Sequence, residues 1–254
     1  QSLGGPLVGD SERKPVSQVL GYDVTPRVVQ ISPDLNVTVY EAIGTEGKVE
    51  DWIEDDDDVD PFGAVVWPAA HLMSQFLLRI SEANGGLSGH KLMELGSGTG
   101  VCSLVAAHCG AEVLATDNNV TPLKFLDQAA LDQGLASRIK TQIYDFCKEP
   151  VELPQDISAL IIADCIYNEQ AAKGMARQCF AAKNSGKQVL LLDSVNIARK
   201  DFTNALKSLE VPFSFREMQI EVTGSAVLVD EDLRYNSTVG VFYVSSIPSA
   251  SIKD

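Results

Sequence analysis

The chain has 254 residues, 45% hydrophobic and 22% charged, a composition that excludes a disordered, collagen-like or coiled-coil protein. No apolar run approaches the ~20 residues that a membrane-spanning helix needs, so no membrane partner is expected. Lys and Arg number 20 against 35 Asp and Glu, a net charge of −15 that would repel nucleic-acid phosphate; a basic or neutral partner is the better expectation. Residues 1–26 are polar and broken by Gly and Pro, and little fixed structure is expected there. Residues 27–43 contain two β-prone runs around Ser32-Pro33-Asp34, which predicts a hairpin; with the stretch that follows it makes an N-terminal extension over 27–61. From Glu50 to Asp60 eight residues are acidic, with Trp52 among them, and so many like charges predict a solvated loop.

A helix is expected from Pro68, because proline suits a first turn where no backbone N–H is needed. Ala69, Leu72, Met73, Phe76, Leu77 and Ile80 give it an apolar face at helical spacing, and Asn84-Gly85-Gly86 ends it. Strand-like runs then recur near 90–95, 111–116, 138–144, 157–163 and 187–193, with helical stretches near 99–109, 120–133, 168–183 and 199–209. Alternation of this kind predicts a Rossmann-like, doubly wound α/β sheet. Residues 213–222 and 239–246 are two β runs with no helix between them, and they predict an antiparallel pair at a sheet edge. The expected organisation is one α/β domain over 62–247, followed by a tail over 248–254.

Cys102, Cys109, Cys147, Cys165 and Cys179 are odd in number and contain no C-x-x-C pair. That pattern is neither a disulfide framework nor a zinc site, and it suits a reducing compartment. His71, His90 and His108 lack metal-ligand spacing, so no metal is expected. Residues 1–15 have no apolar signal-peptide core, and a cytoplasmic location, with a nuclear one also open, is the expectation.

The most informative segment is Lys91-Leu92-Met93-Glu94-Leu95-Gly96-Ser97-Gly98-Thr99-Gly100, which closes a strand and opens a helix. Glycines at such a turn let backbone approach a ligand closely. The G-x-G-x-G spacing misses the dinucleotide pattern, and no P-loop Lys-Ser/Thr follows. Glu94, two residues before the first glycine, would repel a diphosphate and attract a cation. The next strand ends in Asp117, where an acid holds a ribose diol. The pattern calls for a nucleoside that carries positive charge and no phosphate, and S-adenosyl-L-methionine fits that description.

Val65-Val66-Trp67-Pro68-Ala69-Ala70, Met93–Gly100, Thr116-Asp117 and Ala163-Asp164-Cys165-Ile166-Tyr167 together resemble methyltransferase family 16. These are seven-β-strand, S-adenosylmethionine-dependent protein-lysine methyltransferases, and the methyltransferase-like 21 group is among them. The resemblance covers roughly 62–247. It implies a seven-stranded sheet whose last strand is reversed, a protein substrate expected to be locally basic, and S-adenosyl-L-homocysteine as product; a monomer is the expected state. It further implies that Glu94 and Gly96, Ser97, Gly98, Thr99 and Gly100 surround the methionine part of the cofactor. Asp117 would bind the ribose, with Asn118 beside it, and Asp145 and Phe146 would flank the adenine. Trp67 would cover the cofactor from the helix side, and Ala163 would border it. Asp164 and Tyr167, a D-x-x-Y motif, would face the acceptor amine as the catalytic pair.

Two other functions stay open. An arginine or small-amine acceptor would call for a second carboxylate, which Glu169 could supply. A non-catalytic binding module could keep the fold, but neither a broken glycine loop nor a missing ribose acid marks one here.

Overall fold

The computed structural model describes residues 17–19, 22–42, 61–148, 151, 153–223 and 234–244. The acidic run with Trp52 and the tail from 248 lie outside these. Five parallel strands, β4 (Lys91–Leu95), β5 (Glu112–Asp117), β6 (Ile139–Ile143), β7 (Ala159–Ala163) and β8 (Gln188–Asp193), fall within two residues of their expected positions. They are short, and ALIIA and LLL are unbroken apolar runs, because both faces of the sheet are covered. β9 (Ser214–Thr223) and β10 (Arg234–Val244) complete a seven-stranded sheet in the order β6-β5-β4-β7-β8-β10-β9. β10 runs antiparallel to both β8 and β9, so the predicted terminal pair forms with β9 at the edge.

Successive strand residues point to opposite faces, and each face has its own core. On one side Leu92, Val113 and Ile161 pack under α1 (Pro68–Asn84), α2 (Val101–His108) and α3 (Val120–Asp132). On the other Met93, Leu95, Leu160 and Ile162 meet α4 (Glu169–Asn184) and α5 (Arg199–Ser208). There Phe202 meets Phe242 of β10 edge to face, with ring centroids 5.2 Å apart. α1 starts with Pro68 in its first turn and ends at Gly85, as the sequence predicts. Ile80, expected on the buried face, is instead 43% exposed. The buried side of α1 runs on through Leu77 to Ser81, and Ile80, one residue before Ser81, is turned about 100° around the helix from it. No helix among the described residues is long and apolar enough to cross a membrane.

The N-terminal extension is larger than a hairpin. β2 (Tyr22–Ser32) and β3 (Leu35–Ala42) turn at Pro33-Asp34, and β1 (Ser17–Val19) pairs with the start of β2. Ser17–Val19 and Tyr22–Pro26 are therefore strands where little fixed structure is expected from composition. Val19 and Val24 are the reason: both are buried in a small cluster with Ala64 and Phe125, a contact between distant parts of the chain. Val29, Ile31, Val37 and Val39 join the core beneath α1–α3. The Gln133 side chain fastens the sheet to α3: its amide oxygen accepts the Thr38 N–H at 3.0 Å and its amide nitrogen donates to the Thr38 carbonyl at 2.8 Å. That pairing imitates a neighbouring strand.

Candidate active site

After β4, β5 and β6 build one half of the sheet, the chain returns to place β7 on the other side of β4. Ligands of open α/β sheets bind at this reversal, beyond the carboxyl ends of the strands. A cavity of about 310 Å³ lies there. Of the fourteen residues singled out from the sequence, twelve line it: Trp67, Glu94, Gly96, Ser97, Gly98, Thr99, Asp117, Asn118, Phe146, Ala163, Asp164 and Tyr167.

Asp117 organises the glycine turn. Its Oδ2 accepts the Gly98 N–H and its Oδ1 the Asn119 N–H, each at 3.0 Å. The same carboxylate lines the cavity, where it would face a bound ligand. Ser97 Oγ is buried against the cavity with no hydrogen-bond partner among the described residues, a polar atom that a ligand can satisfy.

Glu94 is 2% exposed and accepts a hydrogen bond from the Ser103 hydroxyl of α2. Burial, reinforced by the charge of Asp117 and opposed by the hydrogen bonds of Ser103 and Cys102, pushes its pKa up to about 7. A carboxyl raised in the folded state stabilises the fold fully below its unfolded value of 4.5, and that stability is lost as pH rises through 7. The ligand-free protein should therefore lose about 1 kcal/mol of stability between pH 6 and pH 8. Urea unfolding at the two pH values measures this, and Glu94→Gln should flatten the slope. His71, held down to about 4 by burial and then by Arg27, acts with the opposite sign: its unfolded form takes up a proton as pH falls through 6.5, which offsets part of the Glu94 slope, so the comparison with Glu94→Gln isolates the carboxyl.

Asp164 lines the cavity in a way the sequence does not predict. No helical turn joins it to Tyr167. The chain bends at Asp164, whose φ of 57° is left-handed, and the bend brings both side chains to the cavity. Its Oδ2 accepts the Ala69 N–H of α1 at 3.0 Å, and its Oδ1 accepts the Ser194 N–H at 2.5 Å. The Ser194 hydroxyl donates to the same carboxylate at 2.8 and 2.9 Å. The carboxylate thus ties α1, the end of β7 and the loop after β8 together before any substrate arrives. Burial raises its pKa to about 6 against those bonds, with Asp193 adding to the rise. α4 is capped by Asn168, whose side chain accepts the Ala171 N–H.

Two of the fourteen stand outside the cavity lining. Asp145 does not line the cavity: its Oδ1 accepts the Cys147 N–H at 2.9 Å and its Oδ2 lies 3.5 Å from Lys148 Nζ. The side chain is used in the local turn that presents buried Phe146. Gly100 also stands away from the cavity and serves packing, since a Cβ there would lie 2.3 Å from Leu126 of α3.

Gly63, Val65, Val66, Ala70, Val101, Cys165, Val195 and Ile197 complete the lining without having been singled out. Val65, Val66 and Ala70 belong to the tryptophan-proline motif, and Cys165 to D-x-x-Y, so those motifs carried the signal. Nothing in the sequence marks Val195 and Ile197. Ile197 is 69% exposed and Tyr167 44%, which makes them the open rim.

A mostly parallel sheet closed by a reversed strand, with its cavity at the switch between β4 and β7, is the architecture of the Rossmann-like methyltransferases. An S-adenosylmethionine-dependent O-methyltransferase from Thermotoga maritima aligns over 89% of this chain and 79% of its own, with TM-score 0.50 and 15% identity. A precorrin-8W decarboxylase from Methanobacterium thermoautotrophicum aligns over 75% and 98%, with TM-score 0.52 and 18% identity. At such identities the likeness shows the fold alone. Sequence comparison is more specific: the model of the lysine methyltransferase family matches residues 49–208, and the chain belongs to that family. Protein N-lysine methyltransferase METTL21A of Danio rerio is 31% identical over 162 residues, which are 62% of this chain and 72% of the relative. Protein-lysine methyltransferase METTL21E of Mus musculus is 29% identical over 114 residues, 44% of this chain and 42% of the relative.

Proposed function

We propose that the protein uses S-adenosylmethionine to methylate a lysine side-chain amine of a protein substrate. The observation that carries this reading is the single cavity wall that joins a cation-attracting acid, Glu94, a diol-binding acid, Asp117, and an open rim with Tyr167. The residues suit the cofactor: the two acids match its positive charge and ribose, Ser97 Oγ offers an unused donor, and Phe146 offers an apolar face for a base. When bound, the cofactor supplies a methyl group activated on a sulfonium. Glu94 holds its carboxylate toward that charge, and Asp117 holds the ribose while keeping the glycine turn in place.

The acceptor amine must arrive neutral, and the protein's task is to orient it. Tyr167 at the rim presents a hydroxyl for that purpose. Asp164 has three donors on its carboxylate already and keeps one acceptor direction for the amine. Glu169, the second carboxylate that a guanidinium acceptor would call for, is paired with Lys173 at 2.5 Å and does not line the cavity. That favours lysine over arginine.

A basic substrate surface suits the net charge of −15. The acidic residues of 50–60 stand just before the Pro61–Ala64 turn, whose Gly63 lines the cavity. Fields of this kind raise encounter rates with cationic partners.

The test is incubation with labelled S-adenosylmethionine and a cell extract, followed by mass spectrometry of the labelled band. Methylated lysine supports the proposal, and methylated arginine or no labelled protein would reject it. Asp117→Ala is expected to weaken cofactor binding by about 1–3 kcal/mol, because the ribose hydroxyls lose their acceptor. Calorimetric titration checks this, and unchanged affinity would remove Asp117 from the binding site.

A further inference from the structure

We propose that Glu41, carried by the N-terminal sheet, is a positioning residue of the cofactor cavity, holding the Val65–Trp67 wall in place. The inference rests on the cofactor reading above and extends the site to an element outside the methyltransferase sheet. Val65, Val66 and Trp67 all line the cavity, yet they lie between the Pro61–Ala64 turn and α1, in neither helix nor strand. Val66 is 3% exposed, and a buried backbone N–H needs a partner to avoid a desolvation cost. Glu41 provides it: its Oε1 accepts the Val66 N–H at 2.8 Å, across 25 residues of sequence.

The Glu41 carboxylate is itself fixed. Arg27 on the paired strand β2 donates to Oε2 at 3.1 Å and to Oε1 at 3.3 Å. Both side chains are nearly covered, at 13% and 12% exposure, so this ion pair is shielded from solvent more than a surface one. Three residues after Val66, Ala69 N–H is held by Asp164. The cavity wall is therefore suspended between two carboxylates, one from each sheet. Removing Glu41 frees one end of a segment that carries Trp67, and an ångström-scale shift there changes how closely the wall covers a ligand.

S-Adenosylhomocysteine is the probe, titrated calorimetrically into the full chain and paired with thermal melting. Glu41→Ala is expected to bind about 10-fold more weakly, the equivalent of one lost hydrogen bond at a buried amide. Glu41→Gln keeps an oxygen that can accept the Val66 N–H and should stay within about 3-fold of the original affinity while still losing the ion pair. Glu41→Asp keeps the charge but falls one methylene short, and it should behave like alanine; it replaces alanine if that variant does not fold. Val29→Ala, a buried change in the same sheet, serves as control: it should lower the melting temperature without changing affinity. Unchanged affinity in Glu41→Asp would overturn the proposal, and so would an equal loss of affinity in Val29→Ala. A parent protein that does not bind the probe at all would instead overturn the cofactor reading, and this inference with it.

Discussion

Gly98→Ala is expected to cost the protein about 100-fold in affinity for S-adenosylmethionine, the sum of a left-handed backbone penalty of ~1 kcal/mol and a steric one of similar or larger size. Gly98 has φ +49°, and a Cβ there would lie 2.8 Å from the carbonyl oxygen of Gly63. That neighbour is backbone, so it cannot rotate away. Either the glycine turn or the Pro61–Ala64 turn must move, and both border the cavity. The Gly98 N–H is also the group bound by Asp117, so the shift would disturb the ribose acid as well. Gly134→Ala separates the two costs: its φ is +69° but nothing lies within 4 Å of the added Cβ. It should lose about 1 kcal/mol of stability and no affinity. Calorimetric titration and melting of the two variants check this, and equal affinities would show that the turn tolerates a side chain.

Arg199→Ala should produce the largest loss of stability, about 3–5 kcal/mol, because it strands a buried charge. Arg199 Nε donates to Asp193 Oδ2 and Nη2 to the Asp193 carbonyl, both at 2.8 Å, while Nη1 reaches Glu217 of β9 at 2.9 Å. The Asp193 side chain is fully buried, and its Oδ1 has no partner among the described residues. Burial already raises the Asp193 pKa in spite of the guanidinium beside it. Without Arg199 the carboxyl would rise further. A raised folded-state pKa gives stability that is present at low pH and lost as pH rises, so the variant's deficit should shrink on acidification. At neutral pH the melting temperature should fall by about 10 °C. Differential scanning calorimetry at pH 5 and pH 7.5 checks both the size and the sign. The loss should extend to the rim, since Asp193 also accepts the Asn196 N–H at 3.2 Å, next to Ile197.

The central strands were legible because each is a short apolar run bounded by turns, and burial on both faces leaves no other assignment for ALIIA. The glycine turn and Asp117 were legible because their chemistry is local: one strand end, one turn, one acid. What escaped depends on distant contacts. β1 is three residues long and exists because Val19 and Val24 meet Ala64 and Phe125. β10 begins at Arg234, five residues before the apolar run that announced it, because its polar first residues pair only with β9. Asp145 reads as a cofactor residue from its place after a strand, but its carboxylate is consumed by the turn. Asp164 and Tyr167 were found by motif, while the ties from Asp164 to Ala69 and Ser194 span 95 and 30 residues and leave no mark in a local pattern. Glu41 is likewise one acid among many until Val66 lies beside it.

The clasp between Thr38 and Gln133 spans 95 residues. A ribosome adding ~5–20 residues per second makes Thr38 roughly 5–20 s before its partner exists. Over that interval the helices that cover Val29, Val37 and Val39 are added one after another, and the cover is complete only when α3 has been made. A segment made early is thus sheltered late, and its apolar residues are open to chaperones until the half-domain they cap is complete.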